Sequence, residues 1–214
     1  GAFAGGAINV WVMDPDGGNA RALTTGKEGS WGGTFTPDGS RLVFISRRSG
    51  KQNLWRMDAD GGNLKQLTFG QGEYVPRLSP DGKWLFYVSW ATGRSECWKV
   101  PVDGGEAVSL AAKMDSSPVF SRDGKLMAFP KDGRTLVSPA QGGEPLKSFD
   151  LTAILLFAPD GKSLTFVRNQ EGVGNFWRQP LDGAKPVQIT HFTEYWLYGP
   201  GVAWSPDGKQ LAFI

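Results

Sequence analysis

The sequence predicts an all-β fold, a five-bladed β-propeller of four-stranded antiparallel blades, and three observations carry that expectation. A turn of the Pro-Asp-Gly type recurs five times, a second glycine-rich turn alternates with it five times, and no segment sustains an apolar period of 3.6 residues with helix caps. Measured from glycine to glycine the first turn recurs after 43, 42, 37 and 47 residues, in the range of a blade of four strands. Of 214 residues, 30 are Gly and 14 Pro, alongside 13 Phe, 9 Trp and 4 Tyr. Disordered chains have few aromatics and a high net charge, so this mixture describes short strands joined by tight turns.

The elements follow in chain order. Strands C and D of a split repeat come first, Ile8 to Thr24, folded about Asp14-Pro15-Asp16-Gly17-Gly18. The A-to-B hairpins then turn at Thr36-Pro37-Asp38-Gly39, Ser79-Pro80-Asp81-Gly82, Ser121-Arg122-Asp123-Gly124, Ala158-Pro159-Asp160-Gly161 and Ser205-Pro206-Asp207-Gly208. Proline pre-sets the first turn dihedral and the glycine after aspartate accepts the left-handed one, so turn chemistry alone explains the recurrence. Four residues before each glycine stand Phe35, Leu78, Phe120, Phe157 and Trp204; three after it Leu42, Leu85, Met127, Leu164 and Leu211; five after it Phe44, Tyr87, Phe129, Phe166 and Phe213. That spacing of two puts the last two sets on one strand face, the layer between neighbouring blades.

The C-to-D turns are Asp58-Ala59-Asp60-Gly61-Gly62, Pro101-Val102-Asp103-Gly104-Gly105, Pro139-Ala140-Gln141-Gly142-Gly143 and Pro180-Leu181-Asp182-Gly183-Ala184, preceded in register by Trp55, Trp98, Val137 and Trp177, with Trp11 in the first copy. The chain ends on strands A and B, Val202 to Ile214. One domain, residues 1–214, is therefore expected, with blades at about 25–68, 69–110, 111–149, 150–190, and 191–214 joined by 8–24. Pairing Ile8–Met13 with Gln210–Ile214 would complete the fifth blade, close the ring as a monomer and remove free sheet edges.

Strings such as Asn53-Leu54-Trp55-Arg56-Met57-Asp58-Ala59-Asp60-Gly61-Gly62 and Trp204-Ser205-Pro206-Asp207-Gly208-Lys209 resemble the WD-like repeats of the TolB propeller family, over about residues 8–214. The last repeat, Asn175 to Ile214, is also similar to sensor-like propellers fused to bacterial serine/threonine kinases or winged-helix regulators. The resemblance implies a binding platform without a shared catalytic motif and a periplasmic or extracytoplasmic setting.

The chemistry is bounded first by what is missing. A single cysteine, Cys97, excludes an internal disulfide and a cysteine-rich metal site, and a single histidine, His191, excludes a multi-histidine one. A net charge of +2, spread along the chain, leaves no nucleic-acid footprint. The longest apolar run, Ala153 to Ala158, is far below the roughly 20 residues of a membrane-spanning helix, and no signal-like segment opens the chain, so a soluble domain without membrane insertion is expected. No cofactor is expected. Cys97 reads as a buried apolar thiol, and the repeated aspartates as turn formers.

Function is expected on the face that carries the D-to-A and B-to-C loops. Glu28, Glu73, Asp115, Asp150 and Glu194 occur one per D-to-A loop, an acidic collar suited to a cation or a basic segment. The B-to-C loops add Arg47, Arg48, Lys51, Trp90 and Arg94; Tyr74 adjoins Glu73; and the long loop from His191 holds Tyr195, Trp196 and Tyr198. Exposed Trp and Tyr beside Arg is the composition of binding hot spots and sugar-stacking sites. The expected function is a noncatalytic platform for a protein or peptide segment, or a small ligand at the channel mouth; the alternative is a lectin or a five-bladed glycosidase.

Overall fold

A computed structural model describes residues 2–4, 7–90, 93–110, 114–151, 154–194, 202–205 and 207–213, and among them every regular element is a β-strand. No helix among these residues is long and apolar enough to cross a membrane.

The chain forms two compact units, residues 1–117 and 118–214. The first opens with two ribbons, β1 (Ala2–Ala4) with β2 (Ala7–Asn9) and β3 (Trp11–Val12) with β4 (Arg21–Ala22). Two four-stranded antiparallel meanders follow: β5 (Ser30–Phe35), β6 (Arg41–Ser46), β7 (Asn53–Asp58), β8 (Lys65–Gln66), then β9 (Glu73–Leu78), β10 (Trp84–Ser89), β11 (Glu96–Pro101), β12 (Val108–Ser109). The second unit holds two more, β13 (Val119–Phe120), β14 (Leu126–Lys131), β15 (Arg134–Pro139), β16 (Lys147–Phe149), then β17 (Ile154–Phe157), β18 (Ser163–Gln170), β19 (Val173–Pro180), β20 (Val187–Gln188). A ribbon of β21 (Val202–Trp204) and β22 (Leu211–Phe213) ends it.

The fold is an all-β propeller of antiparallel sheets, with four complete four-stranded blades among the described residues where the sequence predicts five. The strands assigned to the fifth stand in two-stranded ribbons. Ile8 and Asn9, within the Ile8–Met13 segment expected to pair with Gln210–Ile214, pair instead with Phe3 and Ala2. A hairpin across two residues closes a far smaller loop than a pairing between chain ends, and loop-closure entropy favours the local partner.

Strand B of each blade is the core. In β6 the side chains of both faces are buried: Leu42 and Phe44 pack with Val10 and Met57, while Val43 and Ile45 pack with Leu54 and Leu67 against Leu85, Tyr87, Val100 and Val102 of the next blade. In the second unit Val119, Ala128 and Val137 pack the same way against Phe157 and Leu164. Aromatic residues face across the B and C strands, Phe44 opposite Trp55, Tyr87 opposite Trp98 and Phe166 opposite Trp177.

Three positions depart from the repeat. In the third complete blade Leu136, not Val137, faces Phe129, because the B-to-C connection shrinks to Asp132-Gly133, both at positive φ, and this two-residue turn resets the pairing. Phe213, expected in the core, is 38% exposed, and Phe35 is 44% exposed; each lies beside or within a two-stranded ribbon, which covers less than a full blade. The outermost strands are two or three residues long, which limits the unpaired edge each offers to another chain.

Candidate functional site

On the loop side of the first unit, strands A of both blades carry a β-bulge, between Trp31 and Thr34 in β5 and opposite Phe86–Val88 in β9. The left-handed residue of the first bulge is Gly32 at φ +67; the equivalent position in the second is Val75 at φ +53. A bulge re-aims the preceding side chain, and in both blades that side chain is aromatic, Trp31 and Tyr74. The residue just after strand B then covers the ring. Arg47 places its guanidinium carbon 5.4 Å from the Trp31 centroid, and Trp90 stacks on Tyr74 at 6.4 Å with 24° between planes. The backbone repeats too: the N–H of Arg47 donates to the Gly29 carbonyl and that of Trp90 to the Gly72 carbonyl.

Between the two stations lies a cleft of about 490 Å³, lined by Arg47, Gly50, Lys51, Gln52, Gln71, Gly72, Tyr74 and Trp90. Its floor is a reciprocal clamp: Gln52 Nε2 donates to the Glu73 carbonyl at 3.0 Å, and the Glu73 N–H to the Gln52 carbonyl at 3.0 Å. The Tyr74 hydroxyl is hydrogen-bonded to Ser95 at 3.0 Å. Arg47, Lys51 and Trp90 are exposed.

Of the residues singled out from the sequence, the structure brings Arg47, Lys51, Tyr74 and Trp90 together. Glu73 belongs to the same loop but points inward, only 1% exposed, and its carboxylate accepts hydrogen bonds from Asn53 Nδ2 at 2.6 Å and Thr68 Oγ1 at 2.8 Å. A Cβ at Gly70 would collide with Glu73 Oε1, so a larger residue there would have to displace the Glu73 carboxylate. Burial, and after it the Glu73 charge, push the Tyr87 hydroxyl far above the usual phenol range. Glu28 and Asp115 are exposed in the first unit, Asp150, His191 and Glu194 in the second. Tyr195, Trp196 and Tyr198 lie outside the described residues.

Arg48 does not face the cleft's aromatics. It packs over Phe44 at 5.2 Å and Trp55 at 5.1 Å, where burial pulls its guanidinium below the ordinary range and the Glu28 charge partly restores it. Cys97 is wholly buried and burial pushes its thiol up to about 12, so it is no nucleophile at neutral pH. Among the described residues no three His, Cys, Asp or Glu side chains are grouped to hold a metal.

The sequence reading missed a polar latch. Thr24 Oγ1 donates to Asn9 Oδ1 at 3.0 Å and Thr190 Oγ1 to Asn175 Oδ1 at 3.0 Å, and each threonine accepts the N–H of the residue after the asparagine. Thr68 and Asn53 turn the same device onto Glu73. The signal was present: in all three copies the threonine follows the asparagine by 15 residues.

Compared with known protein families, residues 3–137 match the TolB beta propeller domain. The chain belongs to this family. Among solved structures, TolB from Acinetobacter baumannii superposes with a TM-score of 0.71 at 18% identity, over 95% of this chain and 53% of that one. The putative TolB from Agrobacterium tumefaciens gives 0.67 at 21% identity, over 91% and 73%. An oligogalacturonate lyase in complex with manganese gives 0.65 at 20%, over 96% and 65%. This TolB-family chain thus spans about half the length of the Acinetobacter protein, and at such identities the likeness concerns the fold. No curated protein matches it.

Proposed function

We propose that this TolB-family propeller is a noncatalytic binding platform that holds a peptide segment of a partner protein, or a small ligand, on its loop side. The observation that carries the reading is the cleft of Arg47, Lys51, Tyr74 and Trp90, where a 52% exposed tryptophan stacks on a tyrosine beside two exposed cations. Half-exposed aromatic rings at a concave, polar-rimmed place have the composition of interface anchors. The sensor role and extracytoplasmic setting implied by the resemblance and a monomeric state belong to the same proposal.

A peptide and fragment library screened for thermal stabilisation, with Trp90→Ala as counter-screen, tests it. Hits that stabilise the parent chain and not the variant are expected; hits that stabilise both equally place binding elsewhere. The second reading is a sugar-binding or sugar-cleaving propeller, favoured by the stacked Tyr74–Trp90 pair and by the fold shared with oligogalacturonate lyases. Glycan-array binding with an assay of glycosidic cleavage by hydrolysis or elimination separates the two: saturable sugar binding supports a lectin, turnover an enzyme.

A further inference from the structure

We propose that the cleft between the two blades of the first unit takes an acidic peptide segment, whose carboxylates meet Arg47 and Lys51 while a neighbouring apolar side chain lies against the Tyr74–Trp90 pair. This rests on the binding reading above and assigns the chemistry of the partner. The sign of the charge comes from the lining: two cations face the cleft and no carboxylate does, since Glu73 is turned into the blade and held by Asn53 and Thr68. Arg47 is exposed yet partly ordered by its ring contact with Trp31, which lowers the entropy lost when it engages a carboxylate.

The walls leave room for a main chain. Gly50 and Gly72 line the cleft, and a Cβ built on either would meet nothing within 4 Å. Arg47 and Lys51 bring positive charge, which a carboxylate answers and a neutral sugar hydroxyl does not, and the Gln52 Nε2 donor is committed to the floor clamp. The bulge geometry adds a second indication. Val75, a β-branched residue held at φ +53 where the neighbouring blade uses glycine, stands directly after Tyr74, and such strained backbone concentrates at ligand sites.

The test titrates acetyl-Glu-Glu-Pro-Phe-Glu-Glu-amide into the ¹⁵N-labelled chain at low and high salt. The expected result is movement of the Trp90 indole signal and of amides 50–52 and 71–74, with affinity falling severalfold as salt screens the exposed charges. Arg47→Gln with Lys51→Gln, and separately Trp90→Ala, should each weaken binding about tenfold with melting unchanged. The lysine counterpart of the peptide and glucuronate are run in parallel. If the lysine peptide binds as well, or the double glutamine variant binds unchanged while Trp90→Ala loses binding, the acidic partner is wrong and the platform reading stands. Glucuronate moving the cleft signals where the peptide does not makes the occupant a sugar and overturns the proposal. No response at the cleft to any probe removes both this proposal and the cleft-based reading.

Discussion

Glu73 and Val75 show how single residues depart from their repeat. Four D-to-A acids are exposed, but Glu73 occupies the position of Ser30 in the preceding blade and is drawn inward by Thr68, five residues away, and by Asn53, 20 residues away on strand β7. Val75 sits in the left-handed region where Gly32 sits one blade earlier, and a β-branched side chain there costs on the order of 1–3 kcal/mol. Val75→Gly is therefore expected to leave stability unchanged or slightly raised in urea titration, whereas Val43→Gly, in a fully buried strand position, should cost more than about 2 kcal/mol. A comparable loss at both positions would show that the Val75 side chain, not its backbone, dominates. For Cys97 the expectation is that a thiol reagent titrates nothing at pH 8 until the protein is unfolded; rapid labelling of the native chain would contradict its burial.

At the scale of the element, the Pro-Asp-Gly hairpins are more than turns. Thr36, Ser79, Ser121 and Ser205 donate their hydroxyls to Asp38, Asp81, Asp123 and Asp207, and the residue after each glycine donates its backbone N–H to the same carboxylate. The hydroxyl bond first and the backbone bond second hold all four carboxyls below their ordinary value, Asp38 at about 2. The folded-state values lie below the unfolded ones, so this stabilisation is complete above the ordinary carboxylate range and fades as pH falls through the folded values. Urea midpoints should thus decline from about pH 4 toward pH 2, and Asp38→Asn should flatten that decline. The hairpins also touch one another: a Cβ at Gly82 would stand 3.1 Å from Pro37 of the preceding blade, while one at Gly39 would meet nothing. Both glycines have positive φ, so Gly39→Ala measures strain alone, about 1 kcal/mol, and Gly82→Ala should lose more. Equal losses in denaturant titration would mean that the hairpins do not support their neighbours.

At the scale of the molecule, neighbouring blades within each unit bury their facing side chains against one another. Phe44 and Phe166, almost wholly buried, should each cost about 3–5 kcal/mol when replaced by alanine, a large part of a total stability of about 5–15 kcal/mol. Removing residues 1–24 takes away Val10 and Leu23, which cover Leu42, Phe44 and Met57, so the shortened chain is expected to be insoluble or to melt far lower. A soluble, monomeric product with unchanged melting would overturn this role of the N-terminal ribbons.

What the sequence determined by itself is the repeat: all-β class, the alternating turns and the strand-B residues that fill the core. These depend on local dihedral preferences and on a period of two, both written in adjacent residues. Tyr74 and Trp90 were legible as candidates because an aromatic outside the core register has no packing reason to be there. The tertiary structure alone decided which candidates meet. The bulge that turns Tyr74 toward Trp90, the Gln52–Glu73 clamp, the inward rotation of Glu73 and the pairing of residues 7–9 with Ala2–Ala4 all depend on partners in other strands or on competition between pairings. A pattern repeated along a chain specifies each blade; the charge and shape of the space between blades come from contacts that no single repeat contains.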